Sequence, residues 1–160
     1  MASKVLIADD NALFRKTLRH ILETAQLCEV IEARDGYEAL TQSRVLHPEI
    51  VVLDLAMPVM DGLRAAREIT KSLPGVPILM CTMHASTQLD RDAKDAGVHK
   101  VIPKVQSNLI VPEIEKLLRA KTSISGTTSR TVTPEPAKSP PVPAISLPPE
   151  PDGGPSGSLA

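Results

Sequence analysis

At 160 residues with a net charge of −1, the chain has material for one domain with a real core, and its charge balance marks no surface for nucleic acid or an acidic membrane. No apolar run approaches the roughly 20 residues that a membrane span needs, and no signal peptide precedes the first patterned residue, Lys4, which predicts a soluble cytoplasmic protein. The two cysteines, Cys28 and Cys81, fall inside apolar runs and read as inert core thiols rather than a disulfide or redox pair.

The first run, Lys4-Val5-Leu6-Ile7-Ala8, is closed by Asp9 and Asp10. Short continuous apolar runs of this kind suit parallel strands buried on both faces. Leu13, Phe14, Thr17, Leu18, Ile21 and Leu22 then form the stripe of an amphipathic helix, with Asp10 as a candidate cap. A second strand is expected from Cys28 to Ala33. Asp35-Gly36-Tyr37-Glu38 reads as a capping box opening a second helix through Leu46. Ile50-Val51-Val52-Leu53-Asp54 is the third strand, and it too ends in a carboxylate. Asp61 caps a third helix from Gly62 to about Ser72, ended by Pro74-Gly75. Val76 to Thr82 is the fourth strand, Ser86 to Asp95 the fourth helix, stopped at Gly97, and Lys100 to Pro103 a short fifth strand followed by Lys104. The last helix carries Ile110, Ile114, Leu117 and Leu118 on one face; Pro112 stays in its first turn only if the helix starts near Asn108. His20 and His47 read as helix-surface residues.

Composition changes near residue 121. Residues 122–160 hold 9 of the 15 prolines, with Ser, Thr and Gly between them. Such a segment cannot bury enough apolar surface to offset the entropy of ordering, which predicts a domain over 1–121 and a disordered Pro/Ser/Thr/Gly-rich tail over 122–160.

Strands alternating with helices in this way predict a flavodoxin-like, doubly wound α/β domain: a five-stranded parallel sheet of order 2-1-3-4-5 with five helices. In that order strands 1 and 3 are neighbours and the order reverses between them, so Asp9, Asp10 and Asp54 share one crevice at the carboxyl edge. Thr82 ends the strand next door and Lys104 follows the fifth. Three convergent carboxylates repel one another unless a cation sits among them or one is held protonated. All-oxygen ligation suits a hard ion such as Mg²⁺. Singly, each residue has a plain structural reading: an Asp at a strand end is more often a helix cap, Thr82 an ordinary β-branched strand residue, Lys104 a solvated charge. Their meeting at one sheet edge selects the functional reading.

These residues resemble those of the receiver domain of bacterial two-component response regulators. The matching pieces are Asp9-Asp10, the segment Asp54-Leu55-Ala56-Met57-Pro58-Val59-Met60-Asp61-Gly62, Thr82, Ala96-Gly97 and Lys104. The resemblance implies that Asp54 accepts a phosphoryl group from a phosphohistidine of a histidine kinase or histidine phosphotransfer protein. It implies Mg²⁺ held by Asp9, Asp10, Asp54 and the backbone carbonyl of Ala56. Lys104 would pair with phosphoryl oxygens, and Thr82 would swing inward to donate its hydroxyl. That switch would repack the face of helix 4, strand 5 and helix 5, where an output protein would bind and where a homodimer would form. With no second folded domain expected after Arg119, the resemblance implies a stand-alone receiver rather than an enzyme.

Two departures bear on the switch. Met83 stands after the threonine where the family has a small residue, and Val101 stands at the position of the family's switch aromatic. Two alternatives were weighed. A haloacid-dehalogenase-like phosphatase would need a DxD pair, whereas Asp9 and Asp10 are adjacent. A degenerate receiver acting only as an interaction module would have no need to retain the acceptor, the acidic pair, the threonine and the lysine together.

Overall fold

The computed structural model describes residues 2–125. The chain runs β1 (Lys4–Ala8), α1 (Ala12–Thr24), β2 (Glu29–Ala33), α2 (Gly36–Leu46), β3 (Ile50–Asp54), α3 (Gly62–Ser72), β4 (Ile78–Thr82), α4 (Thr87–Asp95), β5 (Lys100–Pro103), a 3-10 segment (Lys104–Leu109) and α5 (Ile110–Ser125). The strands form one parallel sheet in the order β2-β1-β3-β4-β5. This is the expected flavodoxin-like fold.

Alternation along each strand divides the core into two layers. Leu6, Ala8, Val51, Leu53, Ile78 and Met80 face one side, against Ala39 and Leu40 of α2, Ala65, Ala66 and Ile69 of α3, and Leu89 and Ala93 of α4. Val5, Ile7, Ile50, Val52, Leu79, Cys81 and Ile102 face the other, against Leu18 and Leu22 of α1 and Ile110, Ile114 and Leu118 of α5. Because β1, β3 and β4 are covered on both faces, nearly every residue in them is apolar. At roughly 1.5–3 kcal/mol per buried aliphatic side chain, these central strands are the main source of stability. Burial also pushes the free thiols of Cys28 and Cys81 up, to about 11 and about 12.

Helix ends follow local chemistry. Asp35, Asp61 and Ser86 accept hydrogen bonds from the backbone N–H groups of Glu38, Arg64 and Leu89. In the expected capping box the Glu38 carboxylate reaches one residue further back and accepts from the Arg34 N–H, 2.8 Å away. After α4 the chain turns at Gly97, with φ of +86°, which only glycine adopts freely.

Two elements, α1 and α5, differ from the sequence reading. In α1 only Leu18 and Leu22 of the expected stripe are buried; Leu13 is 74% exposed, Ile21 44% exposed, and Arg15 is buried instead. Leu13, Phe14, Thr17 and Ile21 line a cavity of about 680 Å³ against Ile110, Val111 and Pro112 of α5, so part of the stripe borders a groove rather than the core. α5 starts at Ile110 rather than Asn108, because the 3-10 segment occupies the preceding residues. It also continues past residue 121 to Ser125, where Lys121 Nζ donates to the Glu49 carbonyl at 2.7 Å. The expectation for the tail therefore concerns helix at 122–125, and its remainder, 126–160, lies outside the described residues.

Candidate functional site

Register brings the site together. Ala8 at the end of β1 lies opposite Leu53, so Asp9, one residue on, stands level with Asp54 at the end of β3. In β4 Cys81 lies opposite Asp54, and Thr82 lies opposite Pro103, the residue before Lys104. All five polar residues thus meet at the carboxyl edge of the central strands. One carboxylate oxygen from each of Asp9, Asp10 and Asp54 falls within 4.8 Å of the others.

The β1–α1 turn gives its acidic residues different tasks. Asn11, not Asp10, caps α1: its Oδ1 accepts from the N–H groups of Leu13 and Phe14 at 3.0 and 3.2 Å. The Asp10 carboxylate is therefore not spent on capping, and among the described residues it has no hydrogen-bond or ion-pair partner. Asp9 is buried; its Oδ1 accepts from the Asn11 N–H at 2.8 Å. Its Oδ2 lies 2.7 Å from Lys104 Nζ but receives no well-aligned hydrogen bond. Lys104 Nζ is also 3.3 Å from Asp54 Oδ2, and it rests over the Phe14 ring, 4.9 Å from the centroid.

Asp54 is 5% exposed. Burial and then the Asp9 carboxylate raise its pKa above the usual carboxylate value, against the opposing pull of Lys104. Burial works against the Lys104 ammonium, yet its close pairing with the Asp9 carboxylate, joined by Asp54, carries its pKa above the usual lysine value. The end of β3 is closed tightly by α3. A Cβ on Gly62 would lie 2.1 Å from the Asp54 carbonyl oxygen, and the Gly62 N–H donates to the Leu55 carbonyl at 2.9 Å. Only glycine lets the helix start this close to the Asp54 backbone.

Thr82 is 3% exposed, and its Oγ1 accepts from the His84 N–H at 3.1 Å. Met83 beside it is 63% exposed. Val101 is half-buried and packs on the layer under α2, α3 and α4. Ala56 is exposed in the β3–α3 loop, two residues past Asp54. Three residues the sequence reading left out take part here: Asn11, Phe14 and Arg15, whose Nη1 donates to the Asp9 carbonyl at 2.7 Å. Asn11 carried a readable signal, an Asn just before an apolar helical period. Arg15 and Phe14 carried none, because their roles depend on tertiary placement.

The donor set is all oxygen, clustered, and net negative even with Lys104 counted. One of its buried oxygens lacks an aligned donor. These features fit a hard divalent cation.

The model of the response regulator receiver domain family matches residues 5–114. Among curated relatives, a protein-glutamate methylesterase/protein-glutamine glutaminase of Vibrio vulnificus is 41% identical over 107 residues, covering 65% of this chain and 28% of that protein. The protein of the same name from Idiomarina loihiensis is 37% identical over 152 residues, covering 88% of this chain and 39% of that protein. The chain thus spans well under half the length of these relatives. Among solved structures, Vibrio cholerae chemotaxis protein CheY4 aligns with a TM-score of 0.62 at 30% identity, covering 65% of this chain and 88% of that one. The response regulator domain of Thermotoga maritima CheB aligns with a TM-score of 0.65 at 25% identity, covering 75% of this chain and 96% of that one.

Proposed function

The chain belongs to the response regulator receiver domain family, and on that premise we propose that Asp54 is the phosphoacceptor of a two-component or phosphorelay step. A carboxylate oxygen of Asp54 attacks the phosphorus of a partner's phosphohistidine, the phosphorus–nitrogen bond breaks, and an aspartyl phosphate forms as the imidazole leaves. The observation that carries this reading is Lys104 Nζ, bridging Asp9 and Asp54 at 2.7 and 3.3 Å, where it can transfer its pairing to an incoming phosphoryl oxygen.

Each further role follows from position. Lys104 opposes the burial and the Asp9 carboxylate that together raise the Asp54 pKa. Asp9, Asp10, Asp54 and the Ala56 carbonyl are the groups that would hold Mg²⁺, and the ion's chemistry there is charge neutralisation between carboxylate and phosphate. Thr82 would exchange its present bond from His84 N–H for one donated to the phosphoryl group. That exchange would shift the β4–α4 loop and the face of α4, β5 and α5. That face is where we place an output protein or a second copy of the chain; it carries Glu113, paired with Lys100 at 2.8 Å and near His99 at 3.7 Å. The receiver itself performs no turnover on a separate substrate, and we place it in the cytoplasm with its kinase. Among the described residues no helix is long and apolar enough to cross a membrane.

Incubation with Mg²⁺ and a small phosphoryl donor such as acetyl phosphate should place the phosphoryl group on Asp54, and Asp54→Asn should abolish the acyl-phosphate label. Mass spectrometry finding the group on another residue would refute the assignment. Beryllofluoride should likewise shift the spectrum of the chain only when Mg²⁺ is present; a phosphorylation-independent module would not respond.

On the form of the output, the sequence favours a receiver that binds its partner directly. A second reading, control of a linked methylesterase, is favoured by one observation: similarity to the Idiomarina protein covers 88% of the chain, more than residues 1–121 could supply. Methyl release from a methylated glutamate of a protein substrate, measured with the full-length product of the gene, separates the two.

A further inference from the structure

Arg15 lies one turn ahead of Leu18 on the buried face of α1, where a charged side chain is unusual, and it is 8% exposed. Its guanidinium spans two elements. Nη1 donates to the Asp9 carbonyl at 2.7 Å, and Nε donates to Glu32 Oε2 of β2 at 3.1 Å. Glu32 is held in turn: its Oε1 accepts from Arg19 Nη1 at 3.1 Å and its carbonyl from Gln42 Nε2 at 3.1 Å. The fork geometry of arginine suits this double reach, and its pairing with Glu32 removes the cost of an unpaired buried charge.

The atom Arg15 grips belongs to the peptide that joins Asp9 to Asp10. That peptide is planar, so fixing the Asp9 carbonyl fixes the direction in which the Asp10 N–Cα bond leaves. The Asp9 side chain is already oriented by the Asn11 N–H and by Lys104. The Asp10 carboxylate has no partner of its own among the described residues, so its place relative to Asp9 rests on the backbone alone.

We propose that Arg15, braced by Glu32, is a positioning residue of the divalent-cation site, holding the Asp9–Asp10 peptide so that the two carboxylates converge with Asp54. This rests on the receiver reading of the acidic cluster. A plain electrostatic role has the opposite sign: a cation near three carboxylates opposes a divalent ion, so its loss would tighten binding. A clamp favours the ion, so its loss weakens binding.

Two variants of the full chain keep the local charge and remove the clamp. Arg15→Lys retains one positive charge, but a single ammonium cannot reproduce the fork to both the carbonyl and Glu32. Arg15→Met with Glu32→Met removes one charge of each sign and leaves neither buried alone, which keeps the test open should the first variant fold poorly. Titration calorimetry with MgCl₂ should show Mg²⁺ binding weakened about tenfold in both, the usual scale for loss of a group that orients metal ligands. With acetyl phosphate as donor, the Mg²⁺ concentration for half-maximal labelling should rise by the same factor. A residue that merely supports the fold would lower the metal-free melting temperature and leave Mg²⁺ affinity unchanged. Wild-type affinity in both folded variants overturns the inference and leaves the metal site standing. No Mg²⁺ binding by the wild type overturns the reading of the acidic cluster, and the inference with it.

Discussion

Burial and the Asp9 carboxylate together hold the Asp54 pKa above its ordinary 3.8, so the native state binds this proton more tightly than the unfolded chain does. Stability therefore falls as pH rises from about 3.8 through the raised native value, and the loss persists at neutral pH. In metal-free buffer Asp54→Asn should raise the melting temperature at pH 7, and the gain should shrink as pH falls below the ordinary carboxylate range. Equal melting at pH 7 would mean that Lys104 fully compensates the buried charge. Met83 supports a second expectation. It is 63% exposed beside Thr82, where the family has a small residue, and a flexible thioether there would obstruct a water aligned opposite the leaving carboxylate oxygen. Phosphate loss after donor removal should be faster in Met83→Ala than in wild type; equal or slower loss would show that Met83 is not the obstruction. The strand-end carboxylates, Thr82 and Lys104 were legible in the sequence because each sits at a fixed offset from an apolar run. Arg15 was not: it shares the face of Leu18 and Leu22, but the backbone carbonyl and the Glu32 carboxylate that accept from it are set by tertiary structure.

The β3–α3 loop stores strain next to Asp54. The Met60 N–H donates to the Pro58 carbonyl at 2.7 Å, closing a γ-turn around Val59 with φ of +67°. A β-branched residue is among the least suited to positive φ, and Val59 is 80% exposed, so packing does not repay it. The turn is held from outside: the Gly36 N–H donates to the Met60 carbonyl at 3.1 Å, and a Cβ on Gly36 would lie 2.3 Å from that oxygen. Val59→Asn, which tolerates left-handed backbone, should stabilise the domain by about 1 kcal/mol and raise the melting temperature by several degrees. A lower melting temperature would show that the valine makes a contact worth more than the strain. Strands and helix starts were readable because continuous apolar runs and Asp or Ser caps act locally. The buried face of α1 is narrower than its apolar stripe for a tertiary reason: a groove between α1 and α5 runs along the helix and borders Leu13 and Ile21. α5 starts at Ile110, two residues after Asn108, and Pro112 falls in its first turn as the missing N–H of proline requires.

At the scale of the whole chain, composition and structure place the end of the domain differently. Composition changes at 121, but α5 continues through Ser125, because the residues after Lys121 still have helical partners: Thr122 Oγ1 donates to the Leu118 carbonyl at 3.1 Å. Lys121 itself ties the helix to the loop entering β3, donating to the Glu49 carbonyl at 2.7 Å. That bond spans a sequence separation of 72, so it anchors the far end of α5 to the central strand whose other end carries Asp54. A chain ending at Ser125 should melt at the temperature of the full chain and accept phosphate at the same rate, since every core residue of both layers precedes that point. A chain ending at Ala120 loses the Lys121 bond, at a cost of about 1 kcal/mol, and leaves the last turn beside Leu118 to fray. It should melt several degrees lower and still be labelled on Asp54. If the chain ending at Ser125 also melts lower, residues beyond it pack on the domain, and its stability would then depend on sequence that carries no helical or strand period.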